Sequence, residues 1–173
     1  MAQSKMDGLR KLFVDQLKDI YWVEKELVKT MPKMSKKASA NKLVDALTEH
    51  HSETEEQVNR LESVFSAVDV KPRGKKCEGM SGILSEGEEM MKETESGSVM
   101  DAAIIAASQK VEHYEIATYG TLSTWAQILN EEEAVTLLNE ILEEEKKADK
   151  KLTKVASSIN MEAAEETENV SAE

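Results

Sequence analysis

Val99-Met-Asp101-Ala-Ala-Ile-Ile105-Ala-Ala-Ser108-Gln-Lys-Val-Glu112-His-Tyr-Glu115-Ile-Ala-Thr-Tyr119-Gly-Thr-Leu122 reads as one long helix. Ile105, Ser108, Glu112, Glu115, Tyr119 and Leu122 recur at helical spacing and share a face, so two carboxylates stand in the middle of a core stripe. Three other stripes have the same oddity. Glu24 lies among Phe13, Leu17, Ile20, Leu27 and Met31; His50 and Glu53 lie among Leu43, Ala46, Gln57, Leu61 and Val64. Glu145 lines up with Leu138, Ile141, Ala148 and Leu152, with Glu144 on the flank. Burying one carboxylate costs several kcal/mol, so a chain seldom gathers four without a positive charge to hold them.

Around these stripes the chain divides into four long helices. The first spans about Lys5 to Lys36, with Pro32 placed to kink or interrupt it, and a short turn follows over Ser35–Asn41. The second runs to about Val68 and ends at the breakers Asp69-Val-Lys-Pro-Arg-Gly74. A short helix is predicted over Cys77–Glu95, weakened by Gly79, Gly82 and Gly87, before a break at Ser96-Gly-Ser98. The third long helix spans Val99 to about Leu129, with Asp101 near its positive N-terminal end, and Asn130 begins a turn. The fourth runs from Glu132 to about Ser158, and the acidic stretch 161–173 is expected to be a disordered tail. Short turns make antiparallel hairpins, and the long connection returns the chain along the bundle. The expected fold is all-α: a four-helix bundle over 1–160 with a long crossover containing a short extra helix.

The hairpins also predict depth. With the first turn centred near Ala38, Glu24 lies 14 residues before it, and His50 and Glu53 lie 12 and 15 after. With the second near Asn130, Glu115 lies 15 before it, and Glu144 and Glu145 lie 14 and 15 after. At the rise of an α-helix these groups share one layer roughly 20 Å from either turn.

Composition agrees. Aromatic residues make up 4% of the 173, with 2 Pro and 7 Gly, while Leu, Ala, Glu and Lys dominate, which favours helix over strand. A net charge of −12 argues against nucleic acid and anionic membranes and attracts cations. The lone Cys77, the absence of a signal-like N-terminal stretch and the lack of a membrane-length apolar run predict a cytoplasmic protein. Lys71, Arg73, Lys75 and Lys76 read as a solvated connector, and the 9 Met as core filler.

Carboxylates with imidazole at i, i+3 spacing on facing helices suit iron or manganese, because hard oxygen donors stabilise the trivalent state. The expected ligands are Glu24, His50, Glu53, Glu112, Glu115 and, from the last helix, Glu144, with Glu145 or Glu143 as its alternative. Two plainer readings stand beside this one: a buried hydrogen-bonded network, or a solvated face for Glu143-Glu-Glu-Lys-Lys. His51 and His113 lie one position off their stripes, although His113 could turn inward, and Tyr119 suits core packing or a role beside the metal.

Asp19-Ile-Tyr-Trp-Val-Glu24-Lys, His50-His-Ser-Glu53-Thr with Gln57, Lys76-Cys-Glu-Gly-Met80, Asp101-Ala-Ala-Ile-Ile-Ala-Ala and Gln109-Lys-Val-Glu112-His-Tyr-Glu115-Ile with Tyr119-Gly-Thr-Leu resemble the YciE/YciF stress-protein family. Glu143-Glu-Glu-Lys146 with Asp149-Lys-Lys-Leu152 extends the likeness, which covers about Leu9 to Ala156. The resemblance implies a ferritin-like fold, a stress role, a ferroxidase-type activity and a homodimer. Two features depart from the general ferritin-like pattern: the second helix has His-x-x-Glu where Glu-x-x-His is usual, and the last helix has no histidine. The leading expectation is an oxidoreductase with a dinuclear iron or manganese centre that oxidises Fe(II) or consumes peroxide or oxygen. The alternative is a non-catalytic stress-induced helical protein that binds a partner or buffers metal.

Overall fold

The computed structural model describes the backbone of residues 2–171 and the side chains of residues 8–166. Five helices follow in order: α1 (Ala2–Ser35), α2 (Asn41–Ala67), α3 (Glu78–Glu93), α4 (Ser98–Ile128) and α5 (Glu132–Ser171). No strand occurs among the described residues, and no described helix is long and apolar enough to cross a membrane.

Pro32 neither interrupts nor ends α1, which continues to Ser35. Proline lacks the N–H that would bond the carbonyl of Val28, four residues earlier. His51 Nε2 lies 3.0 Å from that oxygen and replaces the lost donor from across the hairpin. At their far ends, α2 and α4 stop in the same way. Asp69 and Asn130 take left-handed backbone (φ 55° and 61°), and the next amides bond back to Phe65 O and Ala126 O at 2.9 and 3.0 Å. These are Schellman closures, which asparagine and aspartate tolerate better than most residues.

The connection from Val68 to Cys77 crosses the first helix, where Lys75 N donates to Lys18 O at 3.0 Å. Gly74 allows the close approach there, since a Cβ would lie 3.1 Å from Trp22 Cβ. α3 then forms despite its glycines. Its buried Gly87 sits where a Cβ would come within 3.1 Å of Ala107 Cβ, so the residue that weakens the helix lets it lie close on α4.

Direction follows from contacts at the two ends. Buried Asp101, in the first turn of α4, accepts hydrogen bonds from Ser39 N, Ser39 Oγ and Ala40 N at 2.8, 2.7 and 2.8 Å. The start of α4 is thereby fixed to the α1–α2 turn. At the opposite end Arg10 of α1 pairs with Glu131 in the α4–α5 turn. α1 and α5 therefore run one way, and α2 and α4 the other, with α1 and α5 each packed against both α2 and α4. This is the four-helix bundle with one long crossover that the sequence predicts.

α5 differs from expectation. It continues thirteen residues past Ser158, through Ser171, burying Ile159. No breaker interrupts Met161-Glu-Ala-Ala-Glu-Glu166, and Glu166 accepts bonds from Ser98 N and Oγ at 3.0 and 2.7 Å at the start of α4. Of the tail expected from residue 161, 172–173 lie outside the described residues.

A candidate metal centre

Two apolar clusters fill the bundle. Leu61, Val64, Tyr119, Leu122, Leu138 and Ile141 belong to one, and Leu43, Leu47, Ile104, Ile105, Leu152 and Ile159 to the other. On α2, α4 and α5 the gap between the clusters holds a polar layer, which Glu24 of α1 completes.

His50, Glu112, Glu115 and Glu145 are all buried, and each contributes one donor atom to a group whose members lie within 4.8 Å of one another. His50 Nε2 is 3.2 Å from Glu112 Oε1 and 3.6 Å from Glu145 Oε2. Glu24 is also buried, close enough to Glu115 for their charges to interact, and accepts a hydrogen bond from Tyr119 Oη. Gln57 Nε2 donates to Glu145 Oε1 at 2.6 Å and fixes that carboxylate. One oxygen each of Glu24, Glu112, Glu115 and Glu145 is buried without a hydrogen-bond partner. Orphaned carboxylate oxygens are rare in a folded interior, and four in one layer beside an imidazole are the donor set a divalent cation needs. The residues fit such an ion.

Protonation points the same way. Burial raises the Glu24 carboxyl to about 7, although the Tyr119 hydrogen bond and the charge of His50 pull it down. Burial likewise pushes Glu115 well up, helped by the charges of Glu24, Glu145 and Glu112, and it raises Glu145 against the opposing pull of His50. For His50, burial favours the neutral ring, but Glu112, Glu53 and Glu145 together outweigh it and hold the imidazole well above its usual range. Without a cation, the layer relieves its crowded charge by holding protons.

Of the residues expected from sequence, Glu24, His50, Glu112 and Glu115 come together. Glu53 stands outside the buried group. Its side chain is 42% exposed and faces the other imidazole nitrogen, with Oε2 3.4 Å from His50 Nδ1. Glu144 is turned toward Arg60, whose Nη1 lies 2.7 Å from its Oε2, and Glu145 takes the interior position in its place. His113 does not turn inward: its side chain is 70% exposed and Nε2 lies 3.2 Å from Asp149 Oδ1. Gln57 enters the sequence reading as a stripe position and within the family-like motif of the second helix, with no role of its own. A buried glutamine beside a glutamate-rich helix was the available sign that it would orient a carboxylate.

Comparison with known proteins adds lineage to this geometry. The chain is 42% identical to Protein YciF of Escherichia coli K12 over 160 residues, covering 91% of this chain and 96% of that one. The crystal structure of that stress protein superposes with a TM-score of 0.84 at 42% identity, covering 87% of this chain and 96% of that chain. A Rhodopseudomonas palustris protein, YcfI, to which a structural role is ascribed, gives 0.82 at 41% identity, with 84% and 92% covered. The family described as a domain of unknown function, DUF892, matches residues 8–165. With that span, and with the YciF likeness over nearly the whole chain, the protein belongs to the DUF892 family, that of the stress protein YciF.

Proposed function

We propose that this protein is a ferritin-like metal-binding oxidoreductase whose buried layer holds two iron or manganese ions and serves Fe(II) oxidation or the consumption of peroxide or oxygen. The observation that carries this reading is the set of four unpartnered carboxylate oxygens beside His50. In this reading Glu24, His50, Glu112, Glu115 and Glu145 hold the ions. Bound iron or manganese supplies the one-electron steps that side chains cannot.

The remaining residues act on that set. Tyr119 donates to Glu24 and holds its carboxyl in register, while Gln57 fixes Glu145 by one oxygen and leaves the other facing the layer. Arg60 neutralises Glu144 outside. The flanking apolar clusters exclude bulk water, so charge in the layer is felt more strongly than at the surface. The family resemblance extends the proposal to a homodimer, and the lone Cys77 extends it to a reducing, cytoplasmic compartment.

The single imidazole favours a second reading, a non-catalytic stress protein that buffers metal or binds a partner, in keeping with the structural role ascribed to YcfI. Elemental analysis separates the readings. Protein made with iron and manganese supplied, and purified without chelator, is expected to carry about two ions per chain. Glu112→Ala is expected to abolish that uptake with helicity retained by circular dichroism. No metal after anaerobic Fe(II) loading overturns the proposal, and metal without oxygen or peroxide turnover leaves the second reading.

A further inference from the structure

The layer is sealed on most sides. Glu24 and Glu145 are 0% exposed, Glu115 1% and Glu112 2%, whereas His50 is 8% exposed. A groove of about 450 Å³ between α1, α3 and α4 touches none of these residues. A smaller cleft of about 110 Å³ does. It opens between α2 and α5, lined by Ala46, His50 and Glu53 on one side and Lys147, Ala148 and Lys151 on the other. The gap exists because Ala46 and Ala148 stand on stripes otherwise carried by leucines such as Leu43, Leu47 and Leu152.

We propose that cations reach the buried layer through this α2–α5 cleft, passing Glu53 and then His50, and that Lys151 at its mouth restrains their passage. The inference rests on the metal-binding reading above and adds a route and a control to it. Glu53 spans the passage, exposed at its outer edge and directed inward at His50 Nδ1. Lys151 pairs with Glu49 at the rim, and both Lys151 and Lys147 lie close enough for their charge to act on Glu53. In a chain of net charge −12, two lysines therefore stand at the opening that leads to its most anionic interior. They offset Glu49 and Glu53, and an arriving cation meets a mouth close to neutral instead of an attractive funnel.

Anaerobic stopped-flow uptake of Co(II), followed by its visible absorption, tests the route with a redox-inert probe. Lys151→Gln is expected to speed uptake about tenfold at low salt, the gain shrinking as salt screens the mouth. Ala148→Leu fills the cleft and is expected to slow uptake on the order of tenfold while the final stoichiometry stays that of the unsubstituted protein. An unchanged rate in a folded Ala148→Leu protein overturns the route, and an unchanged rate in Lys151→Gln overturns the restraint. Should Ala148→Leu not fold, Glu53→Gln at the exposed outer edge of the passage tests the route in its place, and an unchanged uptake rate there overturns it. An unsubstituted protein that takes up no Co(II) at any time overturns the site reading, and this inference falls with it.

Discussion

Removing the charge from Glu115 separates what that residue offers a cation from what it costs the fold. In the metal-free protein its carboxyl is driven toward the protonated form by burial and by three neighbouring glutamates. Glutamine keeps the shape without the proton that folding must capture. Glu115→Gln is therefore expected to stabilise the metal-free protein by about 1–3 kcal/mol near neutral pH while abolishing the rise in melting temperature that Co(II) produces. Calorimetry with and without Co(II) checks both, and a lower metal-free melting temperature would count against the charge-burial account. The choice between Glu144 and Glu145 shows where sequence stops at this scale. The residues are adjacent in a glutamate run, and the stripe position favours Glu145 only modestly. Arg60 on α2 holds Glu144 outside, while Gln57 donates to both carboxylates, at 3.0 Å to Glu144 Oε2 and 2.6 Å to Glu145 Oε1, contacts between helices that no local pattern encodes.

At the scale of elements, the hydrophobic period located all four long helices, and the breakers located the turns. What it could not supply were the borrowed partners at helix ends. Asp101 was legible as an acid beside its own helix's positive end, yet its carboxylate also serves α2, whose N-cap Ala40 has no side-chain cap of its own. Likewise Pro32 was visible as a defect, but the His51 ring that covers it comes from the neighbouring helix. Asp101→Ala leaves the Ser39 and Ala40 amides without their acceptor and is expected to cost about 2–4 kcal/mol. The measurement is the urea midpoint. Co(II) stoichiometry should be unchanged, because Asp101 belongs to the turn and not to the layer.

Across the whole molecule, hairpin geometry made the layer predictable: counts of 12 to 15 residues from the turns bring Glu24, His50, Glu115 and Glu145 to one depth. Its protonation gives the metal-free fold a definite pH dependence. Glu24, Glu115 and Glu145 all bind protons more tightly when folded, so their stabilisation is complete below the ordinary carboxyl range and lost as pH rises through their raised values, about 7 for Glu24. His50, also raised, contributes below its ordinary value and loses that contribution on the alkaline side. The metal-free protein should thus melt lower at about pH 8 than at about pH 6, whereas the increment from Co(II), which must displace those protons, should grow over the same range. Melting curves of chelated and Co(II)-loaded protein test both slopes. Finally, the layer draws one edge from each of four helices, with Glu145 the last of its residues to be synthesised. Neither hairpin contains the site alone, so a cation held there has nothing to grip until both have docked. It therefore acts on the unfolding barrier, lengthening the lifetime of the native state while apolar packing continues to set the speed of folding.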